Sequence, residues 1–273
     1  MLRTCFDRGP ITQVAKIHKA NVEVHRLEAR NYELIHSEIY NHKEQKRLRS
    51  MLRTIDTIIE GEQRKTLDFG AGTGNVTSKL LQMQYCVTAV DISPEMCNIL
   101  AQKYRHYLRT GMLKVINSTI EDAELGKEQF DLITCYSVLH HLPDYLSVIE
   151  MLCAFLKKGG VMYLDHEGPP FHQSERANHS SRMAKYAYVH YRWFTDQLYF
   201  RIRRLNLPSL DYSLVDCWSH LDHEKIEATF RKLNFSFFTR IDYHLKQGWL
   251  PNPFFGQYER TCKPDRSLWI AQK

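Results

Sequence analysis

Short apolar runs alternate with amphipathic segments through the middle of the chain. The runs predict strands at residues 66–69, 86–91, 113–117, 130–136 and 160–166. Between these runs, apolar residues at spacings of three and four predict helices at 74–83, 94–108 and 143–156. Ser93 and Pro94 supply an N-cap and a proline at the first helical position. Strands separated by helices indicate an α/β fold with a parallel sheet and right-handed crossovers.

The segment before the first strand is predicted to be helical. Ile11, Val14 and Ile17 favour one face of a short helix. A second helix, ending near Glu60 and Gly61, is predicted from an apolar face made of Leu48, Met51, Leu52, Ile55, Ile58 and Ile59. We interpret the basic residues on its other face as solvated surface: Lys43, Lys46, Arg47, Arg49 and Arg53.

The C-terminal part departs from strand and helix alternation. After a break at residues 168–170, apolar positions from Met183 to Leu205 recur every three or four residues and predict a long amphipathic helix. A helix at 222–233, a strand at 235–243, a loop at 244–265 and a short strand at 268–271 follow. This pattern divides the chain into an N-terminal helical segment (1–60), a core (61–166), an insertion (167–221) and a C-terminal part of the core (222–273).

A glycine-rich turn follows the first strand. Gly70, Gly72 and Gly74 alternate with other residues in D-F-G-A-G-T-G, before a helix that begins near Asn75. Glycines allow a sharp turn and the close approach of a ligand to the backbone. Asp68, two residues before the first glycine, would repel a phosphate but suits a ligand with an ammonium group. A glycine triplet alone also occurs in an ordinary strand-to-helix turn.

A second acid strengthens the prediction of a binding site. Asp91 ends the second predicted strand about 20 residues after the glycines, where an acid can accept hydrogen bonds from two ribose hydroxyls. In an open parallel sheet, ligands bind beyond the carboxyl ends of the strands. Each of these motifs is predicted to lie at such an end.

The four segments LDFGAGTG, AVDIS, FDLITCYSVLHHLPD and LKKGGVMYLD occur in an order and at spacings that resemble the class I S-adenosylmethionine-dependent methyltransferases. The resemblance covers residues 60–166 strongly and the C-terminus more loosely. It implies a Rossmann-like, seven-stranded, mostly parallel sheet with an antiparallel last strand. It also implies S-adenosyl-L-methionine as cofactor. The placement of the insertion after the fifth strand suggests a helical cap over the acceptor site; the alternative is an apolar stripe that packs against the core, with a solvated basic face.

The resemblance also implies a set of cofactor-binding residues. Tyr32 or Tyr40 would fold over the methionine moiety; the alternative is that these rings pack against the core. Asp122, or else Glu121, would meet the adenine amino group; the alternative is a solvated acidic turn. The whole set is Tyr32, Tyr40, Asp68, Gly70, Ala71, Gly72, Gly74, Asn75, Asp91, Ile92, Met96, Glu121, Asp122, Tyr136, Ser137 and His141.

One histidine is the candidate general base. Asp165, His166 and Glu167 form the titratable cluster nearest to the predicted methyl position, at the end of the fifth strand. His166 has a reference pKa near 6.5, so it can accept a proton at neutral pH. The alternative is a polar strand-end residue bonded to backbone. No spacing of histidines and acids supports a metal site.

Composition excludes several classes of protein. The net charge of +6 is mild and does not favour a nucleic-acid partner. Seven cysteines without C-x-x-C pairs indicate reduced thiols in a cytoplasmic protein. The sequence contains no apolar stretch of about 18 residues, so no membrane span is predicted. Composition leaves the oligomeric state open.

The function predicted from these features is methyl transfer to a heteroatom, oxygen or nitrogen, of a small molecule. One alternative is a non-catalytic S-adenosylmethionine-binding protein whose basic insertion is a docking surface. Another is a methyltransferase acting on RNA or protein. The Asn-Pro-Pro-Tyr type of tetrapeptide found in many nucleic-acid amino methylases is absent after the fourth strand, where residues 135–138 read C-Y-S-V.

Overall fold

The computed structural model describes residues 9–60, 64–168, 221–244, 264 and 266–273. The predicted amphipathic helix from Met183 to Leu205 and most of the predicted loop at 244–265 lie outside the described residues.

The described strands form one seven-stranded sheet with the order β3-β2-β1-β4-β5-β7-β6. The strands are β1 (Lys65–Phe69), β2 (Cys86–Asp91), β3 (Leu113–Asn117), β4 (Phe130–Tyr136), β5 (Leu156–Glu167), β6 (Phe237–Tyr243) and β7 (Arg266–Gln272). Strands β1 to β5 pair in parallel, and β7 pairs antiparallel with both β5 and β6. The prediction of a Rossmann-like sheet with an antiparallel last strand is therefore confirmed.

Helices precede the sheet and connect its strands. They are α1 (Gly9–Glu28), α2 (Tyr32–Ile35), α3 (Ser37–Tyr40), α4 (His42–Asp56), α5 (Asn75–Gln82), α6 (Pro94–Lys103), α7 (Arg105–Arg109), α8 (Tyr145–Phe155) and α9 (His223–Lys232). Short 3₁₀ turns lie at Ala29–Asn31 and Leu139–His141. Side-chain oxygens of Asn41, Ser93, Asp144 and Asp222 cap α4, α6, α8 and α9, which accounts for where these helices begin.

Three predicted helix boundaries were wrong, and the fifth strand begins at Leu156 rather than at residue 160. The N-terminal helix is much longer than the Ile11–Ile17 face indicated, since α1 has 20 residues. The helix predicted at 94–108 is two helices, because Tyr104 leaves the helical conformation at φ −114° and ψ 28°. Helix α4 ends at Asp56 rather than near Glu60, and the Thr57 amide there bonds back to Thr54 and Ile55 carbonyls.

Two apolar clusters sandwich the sheet. One contains the inward faces of α8 and α9, with Ile149, Leu152 and Phe230 fully buried. The other contains α4 and α5, with Leu48 and Leu80 fully buried. Burial on both faces explains why the central strands are continuous apolar runs.

The register brings the carboxyl ends of the parallel strands to one edge. Asp91 is paired with Asn117 across β2 and β3, and Tyr136 with Asp165 across β4 and β5. The predicted site residues on these strands therefore lie at the same end of the sheet. None of the helices in the described part of the chain has the length and hydropathy of a membrane span.

Candidate active site

The three glycines of the turn between β1 and α5 have a left-handed backbone conformation. Gly70, Gly72 and Gly74 have φ values of 68°, 53° and 96°, a region that residues with a Cβ avoid. A Cβ on Gly70 would lie 2.3 Å from Val138 Cγ2 and would clash with it. Glycine at this position therefore allows the turn to pack closely against Val138. A Cβ on Gly72 would have no described atom within 4 Å. Gly72 therefore borders open space, where a ligand can approach the backbone.

The Asp91 carboxylate is fixed beside this turn. Its Oδ2 accepts a hydrogen bond from the Gly72 amide at 2.8 Å, and its Oδ1 accepts one from the Ser93 amide at 2.8 Å. Burial raises the pKa of Asp91, while the nearby His25 and the two amide bonds act in the opposite direction. Each carboxylate oxygen keeps a second lone pair, so the group is held in place and can still accept hydrogen bonds from a ligand.

Asp68 lies behind the turn. It is 1% exposed, and its oxygens accept hydrogen bonds from the hydroxyls of Thr77 at 2.5 Å and Thr134 at 2.8 Å. Burial raises its pKa to about 6, against the effect of these hydroxyls. In this arrangement the acid ties β1 to β4 and α5. Contact between Asp68 and a ligand ammonium group stays a prediction.

The N-terminal helices cover the glycine turn. The Tyr40 hydroxyl lies 3.3 Å from Thr73 Oγ1, inside the turn. Tyr32 packs edge-on against Tyr40, with ring centroids 6.2 Å apart. Gln45 on α4 donates to Asn75 Oδ1 at 2.9 Å. Both predicted tyrosines are thus beside the glycine turn, and contact with a cofactor stays a prediction.

His36 connects these short helices. Its Nδ1 lies 3.0 Å from Glu38 Oε1, its Nε2 lies 3.3 Å from Glu28 Oε2, and its ring is 4.2 Å from that of Tyr32. Burial lowers the pKa of His36, but the two carboxylates outweigh it and raise the pKa to about 9. The imidazolium form therefore dominates at neutral pH and holds the tyrosine segment together.

We expect the stability of the chain to fall as pH rises through this value. Because the folded pKa is above the unfolded value near 6.5, the contribution is complete below pH 6.5 and is lost as pH approaches about 9. Its size is on the order of 2–3 kcal/mol. Urea unfolding across this range should show a slope that His36→Gln removes and that the exposed control His106→Gln retains. Equal slopes in wild type and His36→Gln would contradict the assignment.

The predicted adenine side lies after β2 and β3. Ile92 is half-buried and Met96 is 1% exposed at the start of α6. Glu121 and Asp122 are exposed, and Asp122 Oδ2 accepts a hydrogen bond from the Thr119 hydroxyl at 3.1 Å. The two acids are therefore accessible, and the choice between them stays a prediction.

The ends of β4 and β5 place Tyr136 against His166. Their rings stack with centroids 5.0 Å apart at 24°. Ser137 and His166 both have positive φ, 60° and 63°, and the Ser137 amide donates to the Asp165 carbonyl at 2.8 Å. Strained backbone of this kind often occurs at functional sites.

His166 titrates differently from the expectation based on its reference pKa. It is 2% exposed, and both ring nitrogens are buried with no hydrogen-bond partner among the described residues. Burial first, and then the positive charges of Arg266 and Arg47, lower its pKa well below 6.5. The ring is therefore neutral at physiological pH, with one N–H and one free lone pair, and its titration lies at lower pH than the reference pKa indicated.

A buried charge network, which we call the Arg47 network, lies beside this pair. It consists of Glu44, Arg47, Tyr136, Tyr163, Asp165 and Tyr243. Arg47 Nη2 donates to Asp165 Oδ2 at 2.7 Å, and Tyr136 donates to Glu44 Oε1 at 2.9 Å. The guanidinium also lies 4.0 Å above the Tyr243 ring. Interpreting Arg47 as solvated surface was therefore wrong; the Glu44–Arg47 spacing of three was the one available signal of a pair on this face.

Glu167 organises the turn after β4. Its carboxylate is fully buried and accepts hydrogen bonds from the amides of Val138, Leu139 and His140 and from His140 Nδ1 at 2.8–3.3 Å. His141 packs 4.1 Å from His140 and 5.5 Å from His25, measured between ring centroids. The predicted cofactor-pocket histidine thus lies between the turn and α1. No group of three metal-ligating side chains occurs in the described ranges.

The sequence of the core matches known methyltransferases. Residues 67–162 match a family model described as a methyltransferase domain. A ubiquinone biosynthesis O-methyltransferase from Haemophilus ducreyi is 36% identical over 107 residues, which cover 37% of this chain and 44% of that protein. The chain thus spans less than half the length of the curated relatives it matches.

Solved structures share the fold at low sequence identity. The 1,6-didemethyltoxoflavin-N1-methyltransferase of Burkholderia thailandensis, which was solved with S-adenosylhomocysteine, has a TM-score of 0.57 and 15% identity over 99% of this chain and 93% of that one. A SAM-dependent methyltransferase from Archaeoglobus fulgidus has a TM-score of 0.50 and 13% identity, over 84% of this chain and 94% of that one. These likenesses show the Rossmann-like fold.

Proposed function

We propose that this chain, whose residues 67–162 match a methyltransferase domain, is an S-adenosylmethionine-dependent methyltransferase acting on a heteroatom of a small molecule. The observation that carries the proposal is the pairing of Gly72 with Asp91. The glycine borders open space, and the acid beside it is held by two backbone amides with acceptor capacity left over. This is the arrangement that a ribose beside a glycine turn requires.

The residues around the glycine turn fit the proposed cofactor. We infer that Asp91 accepts hydrogen bonds from the ribose hydroxyls, and that Gly70, Ala71, Gly72 and Gly74 let the ligand approach the backbone. Asp122 or Glu121 would meet the adenine, with Ile92 and Met96 at its side. Tyr40, Tyr32, Asn75, Ser137 and His141 surround the same edge of the sheet and would enclose the methionine part.

The acceptor side requires orientation and a proton acceptor. When bound, the cofactor supplies an activated methyl group, and the protein supplies position and, for a weakly acidic acceptor, a base. We infer that neutral His166 accepts the acceptor's proton through its free ring nitrogen. Its unpartnered nitrogens support this role, since buried polar groups in native proteins are rarely left without a partner.

The acceptor is proposed to be a small molecule with an oxygen or nitrogen nucleophile. The relative from Haemophilus ducreyi is named an O-methyltransferase, and the structure from Burkholderia thailandensis is named an N1-methyltransferase. We propose that residues 167–221 cap the acceptor side. Gly168 lies directly after β5, and its carbonyl accepts a hydrogen bond from His223 at 2.9 Å, so the described residues at the two ends of the insertion lie together near the end of β5. Free thiols at Cys86, Cys97, Cys135 and Cys153 support a cytoplasmic location.

Replacing Asp91 tests the cofactor site. In Asp91→Ala the ribose hydroxyls lose their acceptor, so we expect cofactor affinity to weaken by about 1.5–3 kcal/mol, measured by calorimetry with S-adenosylmethionine and S-adenosylhomocysteine. Asp222→Ala is the matched control, because Asp222 also accepts two backbone amides, at the start of α9. Its affinity should match that of the wild type. Unchanged affinity in folded Asp91→Ala would remove Asp91 from the site.

Turnover decides between an enzyme and a binding protein. We expect methyl transfer from labelled cofactor to a component of a metabolite extract, with the gained methyl group located by mass spectrometry. Cofactor binding without any transfer would favour the non-catalytic alternative. Transfer to RNA or protein, and not to small molecules, would replace the proposed acceptor class.

A further inference from the structure

The Asp165 carboxylate is saturated with hydrogen bonds. Its Oδ1 accepts from the Tyr243 hydroxyl at 2.9 Å and from the His166 amide at 2.6 Å. Its Oδ2 accepts from Arg47 Nη2 at 2.7 Å and from the Tyr163 hydroxyl. Because every ordinary acceptor position is in use, Asp165 is a fixed anchor and has no capacity left for a ligand.

This anchor holds the backbone of His166. The amide of His166 donates to the side chain of the residue before it while φ is 63°. A left-handed residue other than glycine persists only where its surroundings enforce the conformation. The Ser137 amide, which donates to the Asp165 carbonyl, fixes the facing strand in the same way. Asp165 thus fixes the backbone from which the His166 ring projects.

Helix α4 holds the other side of the stacked pair. Glu44 is 1% exposed and accepts the Tyr136 hydroxyl at 2.9 Å. Arg47 Nε donates to Glu44 Oε2 at 2.9 Å, and Nη2 of the same guanidinium reaches Asp165. One planar group therefore bridges the acid that fixes His166 and the acid that fixes Tyr136.

We propose that Arg47 is a positioning residue that acts through Asp165 and Glu44 to hold the His166 imidazole against Tyr136, with both ring nitrogens kept free of hydrogen bonds to the described residues. The proposal rests on the function proposed for His166. Arg47 need not touch the acceptor in this role. The guanidinium is suited to it because its donors are fixed in a plane and can bind two carboxylates at once, which a lysine ammonium on a flexible stem reproduces poorly.

Arg47→Lys is the test variant, because it keeps the positive charge and loses the planar guanidinium group. We expect its single-turnover methyl-transfer rate to fall by about 10–100-fold, since small displacements of reacting groups cost rates of this order. Cofactor affinity should stay within about two-fold of wild type, because Gly72 and Asp91 are not involved. Arg64→Lys is the matched control. Arg64 also pairs with an acid, Asp56, and lies 5.7 Å from the Tyr85 ring. It precedes β1, however, and so lies at the amino-terminal end of the parallel strands, opposite the site.

A spectroscopic measurement follows the position of the ring directly. The ¹H–¹³C resonance of the His166 ring, assigned by its absence in His166→Gln, should be shifted by the Tyr136 ring and should move in Arg47→Lys. It should be unchanged in Arg64→Lys. A role of Arg47 limited to stability would leave this resonance in place in the folded variant.

The outcomes separate the inference from the proposed function. A rate within about two-fold of wild type, with an unmoved His166 resonance, would overturn the positioning role. If the wild type transfers no methyl group, the resonance alone decides the positioning role and the function proposed above fails separately. If Arg47→Lys does not fold, Tyr243→Phe removes one donor to Asp165 and should move the resonance by a smaller amount. An unmoved resonance there would also overturn the inference.

Discussion

Replacing His166 with glutamine is expected to lower the single-turnover methyl-transfer rate by about 10²–10⁴-fold, the usual contribution of a positioned base. Glutamine keeps a polar side chain but cannot accept the proton. Cofactor affinity should barely change, because the loss is confined to the transition state. Rapid-quench measurement of methyl transfer, with calorimetry of cofactor binding, checks both parts.

The pH dependence of this rate should reflect the lowered pKa of His166. Burial and the charges of Arg266 and Arg47 lower the pKa of His166 well below 6.5, so the active neutral form persists to more acidic pH. The wild-type rate should decline only below pH 6.5, and His166→Gln should lack that decline. His106→Gln is the control, since His106 is an exposed histidine on α7, outside the site. A rate for His166→Gln within a few-fold of wild type, with the same pH profile, would show that the acceptor needs orientation alone. Tyr136 or His141 would then be the next candidate.

Replacing Glu167 with alanine is expected to destabilise the chain by about 3–5 kcal/mol. The substitution removes the acceptor of three successive amides and of the His140 ring, all in a buried turn. Those donors would then be buried without their acceptor. The free energy of unfolding in urea, compared at equal pH, measures the loss.

Glu128→Ala is the control for this experiment. Glu128 is an exposed acid 3.7 Å from Lys273 Nζ, and exposed pairs contribute about 0–1 kcal/mol. A loss in Glu167→Ala no larger than that of Glu128→Ala would show that water replaces the carboxylate in the turn. A large loss of stability with normal cofactor affinity in the remaining folded protein would show that Glu167 supports the fold of the turn alone.

The parts of the fold that are local in sequence were predictable. The strands β2, β3 and β4 have the predicted bounds, because each is an apolar run buried on both faces of a parallel sheet. The left-handed glycines after β1 were predictable because few other residues adopt that conformation. The approach of Asp91 to Gly72 followed from strand order, since β1 and β2 are neighbours in the sheet.

The Arg47 network was not predictable from the same pattern. An arginine among lysines on a helix face has the periodicity of solvated surface, and its partners Asp165 and Tyr243 belong to other segments. Burial likewise decides the pKa of His166, and no residue spacing reports how deeply a strand-end side chain is buried. Both the position of Arg47 and the pKa of His166 depend on tertiary packing, which local periodicity does not report.

The two halves of the site differ in when they can form during synthesis. Gly72 and Asp91 are 19 residues apart, so the turn and its acid can meet once the first two strands have emerged. Arg47 is 118 residues from Asp165 and 196 residues from Tyr243. Contacts across such separations close long loops and form late. A nascent chain can therefore form the contact between Gly72 and Asp91 before the contacts of the Arg47 network, which need the chain to be translated through β6.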